Sequence, residues 1–204
     1  MMNQEAKKAM NYSEPLPLQR QVQVYSGKSY EGLLAALRRE LGYLNCSLQM
    51  RRLNQNMPFD FANLMIIILS PDDFIPGITQ GFAVYNNTEK LHAYEAMKSE
   101  LSRMLNNISS VFCPVLLFNL EYLPYDDRSS GYSYNEWICD CNAYLQEEAK
   151  RLHHVRCIDS NEMVFRLGYR QLHSRNDQDK LSAAGQKFFL EMLLQEIKAI
   201  EFYK

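Results

Sequence analysis

The chain has 204 residues, 47% of them hydrophobic, with a formal net charge of −2 and a pI near 6.1. That is enough apolar content for one sizeable core. The balance of charge excludes a general nucleic-acid surface, which would need an excess of Lys and Arg to neutralise phosphates. No run of 18 or more apolar residues occurs, so no membrane span is expected.

The start, MMNQEAKKAMNYSEPLPLQR, has no apolar signal stretch and reads as a polar lead-in over residues 1–19, ahead of a single domain over 20–204. A strand is expected at 21–26 (QVQVYS), then a helix near 30–41 with Leu33, Leu34, Leu37 and Leu41 at helical spacing. A second strand fits 47–53 (SLQMRRL). The continuously apolar run 64–70 (LMIIILS) has the character of a central parallel strand covered on both faces. A long helix opens at Thr88, its apolar face being Leu91, Tyr94, Met97, Leu101, Met104 and Ile108.

Another buried strand fits 113–120 (CPVLLFNL). Ser133 and Glu136 form an S-x-x-E capping box for a helix with Ile138, Cys141, Leu145, Ala149 and Leu152 on one side. A short strand follows at 155–159 (VRCID), and Ser182 caps a last helix carrying Phe189, Leu193, Ile197 and Ile200. The order predicts a three-layer, doubly wound α/β sheet of about five mostly parallel strands. Ligands in such folds bind outside the carboxyl ends of the strands. Segments 26–30, 54–60, 70–87, 120–133 and 160–181 are therefore where function is expected.

Five cysteines, Cys46, Cys113, Cys139, Cys141 and Cys157, fit reduced thiols and a cytoplasmic location. Cys139 and Cys141 fall on a helix, where positions i and i+2 face apart, and no second ligand pair accompanies them. No metal and no cofactor are expected.

The stretch YSGKSYEG at 25–32 lies between a predicted strand and helix. A Walker loop needs a glycine five residues before its Gly-Lys-Ser, and Val22 stands there, so the phosphate-loop reading is weak. The other reading is a nucleophile at the tip of a strand, with Ser29 displayed on the turn.

On these residues the chain resembles the SGNH/GDSL hydrolase superfamily, a flavodoxin-like fold. Gly27-Lys28-Ser29 stands in the place of the family's Gly-Asp-Ser, which makes Ser29 the candidate nucleophile. Ser70-Pro71-Asp72-Asp73 stands where the family has Gly-x-Asn-Asp, with Asp72 in place of the oxyanion-hole asparagine. Asp177-Gln178-Asp179-Lys180, before LSAAG, stands where the family has Asp-x-x-His, with Lys180 in place of the base.

The departures matter chemically. Lys180 among Asp72, Asp73, Asp177 and Asp179 is expected to stay protonated and so cannot act as a base. A carboxylate at Asp72 repels a developing oxyanion, where losing even one neutral donor costs roughly 3–4 kcal/mol. The glycine of the family's second block is also missing. Asn54 or Asn56 in NQNMP could supply an amide donor there. His173 is a candidate surrogate base, although a surface-loop histidine is the commoner case.

Lys28 and Lys180 facing Asp72, Asp73 and Asp177 form either a salt-bridged plug or a site for a polar ligand. The loop 121–134 should overhang the same mouth, and Tyr122 and Tyr125 are its candidate ligand contacts, with ordinary loop packing as the plainer account.

The patterns MIIILSPDDFIP, YNEWICDCNAYL and VRCIDSNEMVFRLGYRQLHSRND are similar to one subgroup: the non-hydrolytic SGNH-like domains preceding haloacid-dehalogenase-type phosphatase domains in proteins that load glyceryl units onto acyl carrier proteins. No DxDxT phosphatase motif occurs in this sequence. The resemblance implies a protein that binds a small-molecule or acyl-carrier-linked intermediate without ordinary serine hydrolysis, alongside a partner enzyme of the same pathway. The alternative it leaves open is an active ester hydrolase or acyltransferase with Ser29 as nucleophile and Asp177 in support.

Overall fold

The computed structural model describes residues 19–27, 31–43, 45–53, 59, 61–124, 131–173 and 181–200. Five strands form one sheet: β1 (Arg20–Ser26), β2 (Cys46–Arg51), β3 (Leu64–Ile68), β4 (Val115–Phe118) and β5 (Val155–Ile158). Their order is β2-β1-β3-β4-β5 and every neighbouring pair is parallel. The doubly wound α/β architecture expected from the sequence is thus present.

Strand residues alternate between two cores, as a period of two requires. Val22, Val24, Leu64, Ile66, Leu116 and Phe118 face α1 (Glu31–Gly42) and α7 (Ala183–Ala199); Tyr25, Met65, Ile67, Val115 and Leu117 face the other side. On the first face Leu33, Leu34, Leu37 and Leu41 are buried, and Phe118 stacks on Phe189 with ring centroids 4.8 Å apart. On the second lie α2 (Ile78–Gly81), α3 (Asn87–Ser109) and α4 (Tyr134–Ala149), with Phe82, Trp137 and Ile138 at the centre. No helix among the described residues is long and apolar enough to cross a membrane.

Three expectations need correction. Helix α3 begins at Asn87, not Thr88: the Asn86 amide oxygen accepts from Thr88 N–H (2.9 Å) and Glu89 N–H (3.0 Å), and the Glu89 carboxylate accepts from Asn86 N–H (2.7 Å). On that helix Leu91 is 58% exposed, whereas Lys90 is 1% exposed. The Lys90 stem is buried there because its ammonium finds the Tyr132 carbonyl (2.7 Å) and the face of Phe82 (5.3 Å), which turns the neighbouring Leu91 outward. The segment between β5 and α7, expected only as a connection, contains α5 (Asn161–Leu167) and α6 (Tyr169–Leu172). Gly168 joins them at φ 74°, a left-handed backbone that favours glycine.

Candidate functional site

Two neighbouring segments at the carboxyl edge, after β3 and after β4, hold the described candidate side chains. The first follows β3. A 3₁₀ turn over Pro71–Asp73 begins where Pro71 has no N–H to lose. Asp73 accepts from Ser70 N–H (3.0 Å), and Asp73 N–H donates to the Ser70 carbonyl (3.0 Å). A Cβ on Gly27 would lie 1.4 Å from Asp73 Oδ1, so this carboxylate fits only because residue 27 is glycine. Asp72 turns into its own loop and accepts from Thr79 N–H (3.3 Å) and from the Thr79 hydroxyl. That hydroxyl is also 3.4 Å from the hydroxyl of Tyr134, which burial pushes above the ordinary tyrosine range.

The second segment follows β4, and four asparagines hold it. Asn119 donates to Asp159 (3.0 Å) and accepts from Ser160 N–H (2.8 Å). Asn142 on α4 takes both backbone groups of Leu120, at 2.9 and 2.8 Å. Asn161 on α5 donates to the Leu120 carbonyl (3.0 Å) and accepts from Tyr122 N–H (2.8 Å). Asn135 takes both backbone groups of Leu123, at 2.8 and 3.0 Å. These bonds let the chain leave the sheet without orphaning its backbone groups.

Glu121 sits in the middle of that held segment, its carboxylate 2.6 Å from His173 Nε2. An ionised carboxylate only accepts, so Nε2 carries the hydrogen in this bond. The His173 ring stacks on Tyr169, with centroids 4.2 Å apart, and its backbone bridges Leu181. Nδ1 is buried and has no hydrogen-bond partner among the described residues. A buried acceptor left without a donor costs about 1–3 kcal/mol, and such groups are uncommon enough to call for an explanation.

His173 is therefore no surface-loop histidine. Its side chain is 5% exposed, because the Leu172 carbonyl on its N-terminal side is packed under α7. That carbonyl accepts from Ser182 N–H (2.8 Å) and would lie 2.2 Å from a Cβ on Gly185. The LSAAG entry to α7 thus requires its glycine, and the close approach carries His173 inward.

Of the other sequence-derived candidates, Asp72 and Asp73 lie in the β3 turn as expected. Tyr122 packs edge-on against Phe165 (6.4 Å); burial first, then its bond to the Cys139 side chain, pushes its hydroxyl up to about 12. Lys28, Ser29, Asn54, Asn56, Tyr125, Asp177 and Lys180 lie outside the described residues. Sequence reasoning missed Glu121, Thr79 and the asparagines. Glu121 had one usable signal, a carboxylate just past the end of a buried strand. No group of three potential metal ligands occurs among the described residues.

No family model matches the chain, and no curated relative matches it. Solved structures do. One is the N-terminal part of the protein BF1531 from Bacteroides fragilis, containing a phosphatase domain complexed with Mg, at TM-score 0.70 and 12% identity over 89% of this chain. The match covers 52% of that structure, so this chain spans about half its length. Another is the lipase Lip_vut3 from a goat rumen metagenome, at TM-score 0.62 and 18% identity, covering 86% of this chain and 96% of that one. A third, the lipase/acylhydrolase from Enterococcus faecalis, matches at TM-score 0.57 and 14% identity, covering 88% and 96%. The chain has the α/β fold of the SGNH/GDSL-type lipases and acylhydrolases.

Proposed function

We propose that this chain is an SGNH/GDSL-hydrolase-like protein that binds a polar or carrier-linked intermediate of a biosynthetic pathway at the carboxyl edge of its sheet, in the cytoplasm, and does not carry out ordinary serine hydrolysis. The observation that carries this reading is the β3 turn. Where an amide donor would be needed, Asp72 presents a carboxylate, and that carboxylate is turned onto Thr79. The Asp73 carboxylate lies against Gly27, which precedes Lys28 and Ser29 in sequence. With Asp72 in place of that amide, the donor that would stabilise the negative charge built up in acyl transfer to a serine is missing. The longer BF1531 chain, which contains a phosphatase domain, supports a role beside a partner enzyme of the same pathway.

The test is labelling with a serine-directed fluorophosphonate, wild type against Ser29→Ala. The expected result is no labelling of folded wild-type protein. Labelling that disappears in Ser29→Ala overturns the reading in favour of an ester hydrolase or acyltransferase. One observation favours that second reading, the buried His173 beside Glu121, which has the form of an oriented base. In that case His173→Gln abolishes the labelling.

A further inference from the structure

In the helical layer formed by α3 and α4, a cavity of about 360 Å³ opens between α3 and the entry to α4. Asn87, Lys90, Leu91 and Tyr94 line it from one face of α3, and Tyr132 and Asp140 line it from the other side. The volume, and a lining of rings and an aliphatic side chain with a few polar groups among them, are those of a small-ligand pocket.

The lining is held in place by its own bonds. The Lys90 ammonium donates to the Tyr132 carbonyl (2.7 Å), and the Tyr132 hydroxyl donates to Asp140. Burial first, then Asp140, raises that hydroxyl above the ordinary tyrosine range, so it stays a donor. The Lys98 ammonium lies 5.1 Å from the centre of the Tyr94 ring and is itself paired with Glu95 (3.3 Å). Among the described residues, the second Asp140 oxygen, the Tyr94 hydroxyl and the Asn87 side-chain amide make no hydrogen bond.

Charge and shape together select the ligand. The charged groups of the lining, Lys90 and Asp140, are equal and opposite, so neither a cation nor an anion gains from the field of the cavity. The rings and Leu91, which is 58% exposed, offer an apolar surface. Beside it stand a carboxylate that accepts and an amide and a phenol that both donate and accept. A sugar ring matches both, with a C–H face to lie on the apolar surface and hydroxyls to meet the polar groups. We propose that this cavity is a second binding site, for a neutral sugar ring that packs on Tyr94 and Leu91 and donates a hydroxyl to Asp140. It goes beyond the intermediate bound at the carboxyl edge and stands whether or not Ser29 is labelled.

The experiment titrates the isotope-labelled full chain with methyl β-glucoside, methyl α-mannoside and methyl β-N-acetylglucosaminide and follows backbone amide shifts by NMR. At least one glycoside should move the amides of Asn87, Leu91, Tyr94 and Asp140, with a Kd in the millimolar range. Asp140→Ala, on the surface, should weaken that binding at least about tenfold by removing a hydrogen bond to a charged group. Tyr94→Ala should weaken it about tenfold through the lost ring face. If Tyr94→Ala does not fold, Asp140→Ala carries the test. His92→Gln, exposed on the same helix but outside the cavity, should bind as wild type does.

No shift at these amides with any of the glycosides, or unchanged affinity in folded Asp140→Ala, overturns the proposal. The same shifts produced by tetramethylammonium chloride or sodium acetate overturn the assignment to a neutral ligand.

Discussion

The turn after β3 and the segment after β4 leave adjacent strands at the same edge of the sheet, yet they are held by different means. The β3 turn is closed by its own neighbours: Asp73 bonds Ser70 three residues away, and Asp72 bonds Thr79 seven residues away. The β4 segment is held from outside, by Asn142, 22 residues from Leu120, and by Asn161, 41 residues from it. A turn that satisfies itself can form wherever its few residues allow. A segment satisfied by two helices is right only when the whole layer has assembled. That difference places a fixed carboxylate, Glu121, on the second segment and two inward-turned carboxylates on the first.

The comparison breaks most visibly at the asparagines. Asn161→Ala leaves the Tyr122 N–H and one bond of the Leu120 carbonyl unfilled in a buried place, and should destabilise the chain by about 3 kcal/mol. Urea unfolding measures this. A loss below about 1 kcal/mol would mean the segment does not depend on α5.

Gly27→Ala should cost about 2 kcal/mol, because the new methyl meets the Asp73 carboxylate. In a double-mutant cycle Asp73→Ala should recover much of that loss; simple additivity would show that the two do not collide. Asp72→Ala should cost about 1 kcal/mol, and Thr79→Val should add little on top of it, since the bond from the Thr79 hydroxyl to Asp72 is already gone.

The smallest effect concerns pH. Tyr122 ionises at about 12 in the folded chain against an ordinary 10.0. Above pH 10 the unfolded chain loses this proton while the folded chain keeps it. Stability should therefore fall between pH 10 and about 12 and be insensitive to this group below pH 10. Tyr122→Phe should show a shallower alkaline decline in thermal unfolding; an unchanged slope would show that the hydroxyl is not held in this way.

What the sequence determined by itself were the features with a short range. The alternation QVQV and the run LMIII set strand faces, because the side-chain period of two needs no partner to define it. Ser133, Glu136 and Ser182 marked helix starts, since a cap bonds within three residues of itself. The order of these elements sufficed for a parallel, doubly wound sheet, because parallel neighbours need crossovers and the chain supplies helices between most strands.

Only the tertiary structure decided which polar groups meet. Glu121 and His173 are 52 residues apart and lie on different elements, and no local pattern pairs them. Lys90 replaced Leu91 in the core because a carbonyl 42 residues away was there to receive its charge. The asparagines followed the same rule. A buried polar group is stable only beside its partner, and long-range partners are chosen when the layers pack, not when the helices and strands form.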